Sequence, residues 1–356
     1  FDRSHHATAG QILDSLDNVL ADVVEGAPML RGKSPVVVSG CQACHGSHVD
    51  VNSDGTLSVT GWPNSGIGRF NPDGSKGSCA ACHTRHSFSA AQARHPDTCG
   101  RCHLGPDHTQ KEIYGESSHG INFFANIDKM NLASDKWIVG EDYSAAPTCT
   151  TCHMSATKDL PVTHDVGDRI AWNLRAPISF RIDEKDLAKG KQVKPWLERR
   201  KDMKSVCTAC HGRNSTDNFF EQLDTFVELY NEKFAKSGDK LMKLLQAEKL
   251  LTSTQFAEEL EWTWFYLWHH EGRRARHGAA MAGPDFAHWE GMYEVAHRFY
   301  IEMVPQVKEV IDQAKHNGKD TSAQKVQTLL DEILNSDFHR WYLGKADPNH
   351  VKKETL

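Results

Sequence analysis

The sequence predicts a mainly α-helical protein in two parts, a loop-rich region carrying every cysteine and then a C-terminal helical bundle. Three observations predict it. All ten cysteines fall between positions 41 and 210, in five Cys-x-x-Cys-His units. The same stretch is interrupted by turn formers, as in Trp62-Pro-Asn-Ser-Gly-Ile-Gly and Asn71-Pro-Asp-Gly. Beyond residue 214 apolar side chains recur every three or four positions, the period of a helix with one buried face. The expected division is a region 1–213 that carries the motifs and a domain 214–356 of long antiparallel helices.

Composition bounds the partners. Of 356 residues 39% are hydrophobic, and 26 glycines bring the apolar share to about 46%, within the globular range. A net charge of −6 offers no attraction for polyanions, so nucleic acid is not expected. No run approaches the roughly 18 apolar residues that cross a bilayer, the densest being Trp262 to Trp268 between charges. No membrane span is expected. Histidine is the outlier: 21 in the chain, roughly one residue in 17, is far beyond casual surface use.

The motifs explain the histidines. They are Cys41-Gln-Ala-Cys44-His45, Cys79-Ala-Ala-Cys82-His83, Cys99-Gly-Arg-Cys102-His103, Cys149-Thr-Thr-Cys152-His153 and Cys207-Thr-Ala-Cys210-His211. Disulfides would not require a histidine after every second cysteine. Structural zinc uses two such knuckles per tetrahedral site, and five knuckles leave one stranded. Covalent c-type haem needs this spacing: two thiols add across two vinyl groups, and the adjacent imidazole takes the iron from the proximal side. Five haem c groups are therefore expected, with porphyrin faces forming much of the core of residues 41–211. The motif spacings share no period, so a solenoid is excluded. Covalent haem implies a periplasmic or otherwise extracytoplasmic location, with Phe1 a processed or truncated start.

The helical tail reads in order. Phe219, Leu223, Phe226, Tyr230 and Phe234 form a stripe expected to end near Gly238, with Leu241, Leu244 and Leu245 on a second. Thr252-Ser-Thr-Gln255 fits a capping box ahead of Phe256, Leu260, Trp264 and Leu267. A third stripe follows Gly283-Pro284 through Trp289, Tyr293, Ala296 and Tyr300, with a kink expected at Pro305. Val326, Leu329, Leu330 and Ile333 mark a last short helix. These aromatics read as packing residues.

The five proximal histidines leave 16 others, enough to give every iron a second imidazole. Six-coordinate irons throughout make an electron wire, whereas one open iron makes an enzyme. Here the order of Ser4-His-His6, Val24-Glu-Gly-Ala-Pro28, Cys79-Ala-Ala-Cys-His-Thr-Arg-His86 and Cys99-Gly-Arg-Cys-His-Leu-Gly-Pro-Asp-His108 carries a resemblance. Glu116-Ser-Ser-His-Gly120, Cys149-Thr-Thr-Cys-His-Met154, Thr163-His164 and Trp268-His-His-Glu-Gly-Arg-Arg274 extend it over nearly the whole chain. The sequence resembles the octahaem hydroxylamine oxidoreductase-like multihaem cytochromes c, whose last five haems are similar in order to those of pentahaem cytochrome c nitrite reductases.

That resemblance implies that the five motifs are haems four to eight, with three more upstream of Phe1. It makes the first motif the catalytic haem with an open distal side. Its proximal residue is His45, where the nitrite reductases usually have lysine, which favours the hydroxylamine branch. It assigns Asp107 and His108 to a distal catalytic pair, an imidazole oriented by a carboxylate and able to relay protons. The competing reading makes His108 an axial ligand and Asp107 a turn residue. Distal ligands by the same matching are His6, His119, His164 and one of His269 or His270, with His270 the assigned choice, His277 a further candidate and His86 an alternate. His316, His339 and His350 are expected in solvent.

Hydroxylamine-oxidising members crosslink a tyrosine from a neighbouring subunit to the catalytic haem. Phe286 stands at the expected position, with Tyr293 as a possible substitute, and relatives without the crosslink are associated with reduction. The implied protein is a periplasmic oxidoreductase acting on hydroxylamine or nitrite, with a small cytochrome c as redox partner and a homotrimer or larger assembly. The alternatives are a non-catalytic electron-transfer cytochrome and an ammonia-forming nitrite reductase.

Overall fold

A computed structural model describes residues 1–14, 19–25, 35–59, 61 and 64–345. Positions 26–28 of the Val24 stretch, Trp62 with Pro63, and His350 lie outside the described residues. The fold is mainly α, as the sequence predicts, and among the described residues the one sheet is a two-residue antiparallel pair, β1 (Trp172–Asn173) and β2 (Phe180–Arg181), in register Trp172 with Arg181. The chain forms two compact units. The first comprises residues 1–105, 109–173 and 180–220, and the second 106–108, 174–179 and 221–356. The boundary between the units lies at Phe220/Glu221, and two short inner segments group with the C-terminal helices.

The first unit is built of short helices and tight turns. Ser4 caps the turn His5–Thr8, its hydroxyl accepting from the His6 N–H at 3.2 Å. Gly46 ends the turn of the first motif at φ +83, where a Cβ would stand 2.5 Å from the Arg69 nitrogen, so only glycine lets these backbones meet. Helices α1 (Gln110–Glu116) and α2 (Ser118–Ala125) meet in the same way: a Cβ on Gly120 would lie 1.8 Å from the Tyr114 carbonyl oxygen. Ser117 caps α2, accepting from the Gly120 N–H at 3.1 Å, and so sets where His119 starts the helix. Helix α3 (Trp196–Cys207) leads into the fifth motif.

Among the described residues the second unit is a bundle of four helices: α4, which begins at 213 and enters the unit at Glu221 to run to 247, α5 over 259–280, α6 over 284–316 and α7 at Asp320–Asn335. Its core gathers Tyr230, Phe234, Leu241, Leu245, Phe299, Met303, Val307, Ile311, Val326 and Leu330, all nearly or fully buried. Each such side chain contributes about 1.5–3 kcal/mol on burial. Of the predicted stripes, Tyr230, Phe234, Leu241, Leu245, Leu260, Leu267, Tyr300, Val326, Leu330 and Ile333 are core positions, whereas Trp289 and Tyr293 are exposed, because that face of the helix turns away from the bundle core.

Helix ends differ from expectation for identifiable reasons. Gly238 does not end α4, which runs through a π-helical turn at Asn231–Ala235 into Lys236–Ala247. Glycine is there because the Trp264 ring would lie 2.2 Å from a Cβ. The cap of α5 is Glu258 with Glu261 in a reciprocal box, not Thr252 with Gln255, and Phe256 at φ +60 stands outside the helix. A π-helical turn at Arg298–Met303 precedes Pro305, which sits in the first turn of the next helical stretch and needs no N–H partner there. His339 is not in solvent but buried, with Nδ1 2.7 Å from the Tyr300 hydroxyl and Nε2 2.8 Å from the Lys233 carbonyl. His316 is exposed as expected.

Candidate functional site

Each motif in the first unit coils into one helical turn, which is what brings two sulfurs and an imidazole to one side. The His83, His103 and His211 N–H groups donate to the carbonyls of Cys79, Cys99 and Cys207 at 2.9, 3.0 and 2.9 Å. Cys149–His153 is a complete helical turn, and Gln42–His45 continues a π-helical turn at Val37–Cys41. None of the ten cysteines is spent on a disulfide. The motifs also lie against one another. The Cys44 and Cys102 thiols are hydrogen-bonding neighbours, as are those of Cys99 and Cys149. Cys82 feels Cys99 electrostatically, and Cys152 feels Cys207. The third motif therefore sits between the first and the fourth, with the second beside it and the fifth beside the fourth.

Two imidazole pairs test whether these residues fit haem. The rings of His6 and His103 have centroids 6.0 Å apart, and those of His119 and His211 are also 6.0 Å apart. An imidazole binds a metal at about 2 Å and its centroid lies roughly 1 Å behind the nitrogen, so two imidazoles on one metal stand about 6 Å apart. Both spacings match. Burial, and then the nearby His211, push His119 below the usual histidine range, towards the neutral form that ligates metal. Leu104, Ile121 and Phe124 are exposed beside His103 and His119, apolar surface of the kind a porphyrin face covers. The residues fit haem c.

The other expected ligands are placed differently. His164 is exposed, and among the described residues no second ring faces it. His86 is exposed at φ +78. His83 stacks on Phe88, with centroids 4.7 Å apart, a neighbour that no sequence pattern signalled. Burial lowers the pKa of His153, opposed by a hydrogen bond to the Val166 backbone. Phe286 is buried in the second unit, whereas Tyr293 is half exposed beside Trp289, their centroids 4.4 Å apart.

The second unit holds an acid–base cluster. Gly105, at φ +93, turns the chain into segment 106–108. There Asp107 Oδ1 is hydrogen-bonded to His108 Nδ1, while Oδ2 accepts from Arg273 Nη1 at 2.9 Å. His269 Nε2 stands 3.7 Å from the same oxygen. His269 and His270 lie on the π-helical turn Tyr266–Glu271 of α5, where His269 stacks on Phe265 at 4.3 Å and His270 on Tyr266 at 5.0 Å. So the two neighbours separate: His269 faces Asp107, and His270 packs on another ring. His277 lies further along α5.

Charge follows geometry here. Burial opposes ionisation of Asp107, but the His108 hydrogen bond and the charges of His108, His269 and Arg273 outweigh it and bring the carboxyl to about 2. Burial and then Arg273 push His269 down to about 3, so it is neutral. Burial lowers Arg273 to about 10 against the pull of Asp107, which leaves it charged. Arg276, fully buried, donates to the Ala176 carbonyl at 2.9 Å and the Ser179 hydroxyl at 2.6 Å. It ties segment 174–179 to α5. Arg273 and Arg276 escaped the sequence reading, although buried arginines on a helix with an apolar face are a signal for partners elsewhere.

Five sets of two thiols and an imidazole, two of them faced by a second imidazole at ligand spacing, define a covalent multihaem protein of the cytochrome c class. The family model described as "Seven times multi-haem cytochrome CxxCH" matches residues 73–257, and the chain belongs to this multihaem cytochrome family. Its cofactor is haem c, held at five motifs. A curated relative, the "Probable nitrite reductase-hydroxylamine oxidoreductase fusion protein" of Kuenenia stuttgartiensis, is 30% identical over 176 residues. That match spans 42% of this chain and 20% of the relative's length. Among solved structures, a "Hypothetical multiheme protein" superposes with a TM-score of 0.77 at 26% identity, over 89% of this chain and 77% of that one. The reducing HAO-like protein complex of Kuenenia stuttgartiensis shares the fold, with a TM-score of 0.55 at 21% identity over 68% of this chain and 61% of that one. The chain is thus a redox protein. No helix among the described residues is long and apolar enough to cross a membrane.

Proposed function

We propose that this chain is an extracytoplasmic oxidoreductase that converts a small nitrogen oxyspecies, hydroxylamine or nitrite, at the haem held by Cys41, Cys44 and His45. Bound haem iron would offer the binding position for nitrogen and relay electrons that a cytochrome c-type partner supplies. The chain's own residues do the rest. His6 and His119 would hold the haems of the third and fifth motifs as carriers, and His164 and His270 would hold two more. Asp107 orients His108, and His108 exchanges protons with the substrate, since redox change at nitrogen moves protons with electrons. Neighbouring motif sulfurs support a continuous electron path to a cytochrome c-type partner. The names of the relatives support the nitrogen substrate, and Phe286 in place of a crosslinking tyrosine supports the reductive direction. Assembly as a homotrimer belongs to the same proposal.

The single observation that carries catalysis over a plain electron wire is the Asp107–His108 unit. A wire has no use for an ionised carboxylate clamped between an imidazole and an arginine. Purified haem-loaded protein with a strong reductant should consume nitrite or hydroxylamine, and Asp107→Asn and His108→Ala should each lose about 100-fold in kcat with unchanged haem spectra. A protein whose haems are all low-spin and six-coordinate, or a His108→Ala variant with full turnover, would remove the proposal. Product analysis separates the branches, because ammonia from nitrite marks the nitrite reductase reading. A haem-linked peptide containing Tyr293 in mass spectra would reverse the reductive assignment.

A further inference from the structure

Asp107 has two oxygens with two different holders. His108 Nδ1 takes Oδ1, and Arg273, 166 residues further along the chain, donates to Oδ2 at 2.9 Å. Arg273 is itself fixed at a second point, its Nε donating to the Arg175 carbonyl at 2.8 Å, and its guanidinium lies 5.2 Å from the centre of the Trp268 ring. Both side chains are shielded from water, Arg273 at 15% and Asp107 at 16% exposure. A planar guanidinium held at two nitrogens cannot swing without breaking both bonds.

We infer that Arg273 is a positioning residue for the Asp107–His108 pair: it locks the carboxylate so that His108 keeps its proton on Nδ1 and presents Nε2 for proton exchange. The inference rests on the reading of His108 as the group that exchanges protons with substrate. The charged and titratable groups facing Asp107 are His108 on its own segment and His269 and Arg273 on α5, and the Asp107 charge also reaches His270 where it stacks on Tyr266. Of these, Arg273 is the one that joins Asp107 to the backbone of segment 174–179. Lysine has one nitrogen and cannot make both bonds in a fixed plane, so Arg273→Lys should restore the charge but not the geometry.

The test compares Arg273→Gln, Arg273→Lys and His108→Ala in the haem-loaded protein, with haem content and absorption spectra measured for each. Arg273→Gln should lower kcat about tenfold and move the pH dependence of kcat upward by about one unit, since the whole Asp107 charge then acts on His108. Arg273→Lys should keep the wild-type pH dependence and recover only part of kcat. A wild-type pH profile in Arg273→Gln overturns the inference even if turnover falls, because a purely structural role would scale the rate without moving the profile. Should Arg273→Gln fail to accumulate, full recovery of kcat in Arg273→Lys overturns it instead. Wild-type turnover in His108→Ala overturns both this assignment and the reading beneath it. Loss of turnover there with an unmoved Arg273→Gln profile overturns the Arg273 assignment alone.

Discussion

Replacing His119 by alanine should change the spin state of one haem. His119 faces His211 across 6.0 Å, a separation at which one iron between the rings would be within bonding reach of both imidazoles. Without His119 the fifth-motif iron keeps its proximal imidazole and loses the sixth ligand. One haem of the five on this chain should pass from low to high spin, a fifth of the total signal. His6→Ala should do the same at the third motif, where the spacing to His103 is also 6.0 Å. The pairs share no residue, so the double variant should convert two-fifths, the sum of the single changes. Electron paramagnetic resonance and absorption spectra of the oxidised protein read the spin states, and haem-to-protein stoichiometry confirms that five haems remain attached. An unchanged low-spin count in either variant, with five haems bound, would refute the pairing and with it the use of ring spacing to locate irons.

Acid should weaken the helical bundle through His339. Burial holds its imidazole down at about 4 against an ordinary 6.5, so the unfolded chain binds the proton more readily. The stability is fully present above pH 6.5 and falls as pH drops towards 4, by about 3 kcal/mol. Denaturant titrations between pH 7 and 4 measure it, and His339→Gln should flatten the slope. Gly120→Ala should cost about 2–3 kcal/mol and disturb the His119 ligand, because the new methyl would meet the Tyr114 carbonyl at 1.8 Å. Thermal melts and the high-spin signal should change together, and a stable variant with an intact spectrum would contradict the close helix contact. Glu271→Ala should destabilise by about 2–3 kcal/mol, since Arg298 Nε donates to that buried carboxylate at 3.0 Å and would keep only Glu302. An unchanged midpoint in urea would show that the pair adds nothing.

What was legible beforehand depended on how local the chemistry is. A Cys-x-x-Cys-His unit encodes its haem within five residues, so all five sites could be read directly. Core positions such as Leu241, Leu260, Tyr300 and Leu330 followed from helical periodicity, because one buried face repeats every 3.6 residues. The helix boundaries around Gly238 and Thr252 were misread. A glycine needed for contact with Trp264 has the same letter as one that ends a helix. His339 was misread for a similar reason: nothing in its neighbourhood announces Tyr300 and Lys233, which are 39 and 106 residues away.

The sequence by itself determined the cofactor, its number of attachment points and the helical tail, since covalent attachment and amphipathic periodicity are properties of neighbouring residues. Only the tertiary structure decided which imidazoles face each other, that His269 turns to Asp107 while His270 stacks on Tyr266, and that Arg273 holds the carboxylate. Those are distances between residues up to 166 positions apart, set by how helices pack, and no linear spacing records them.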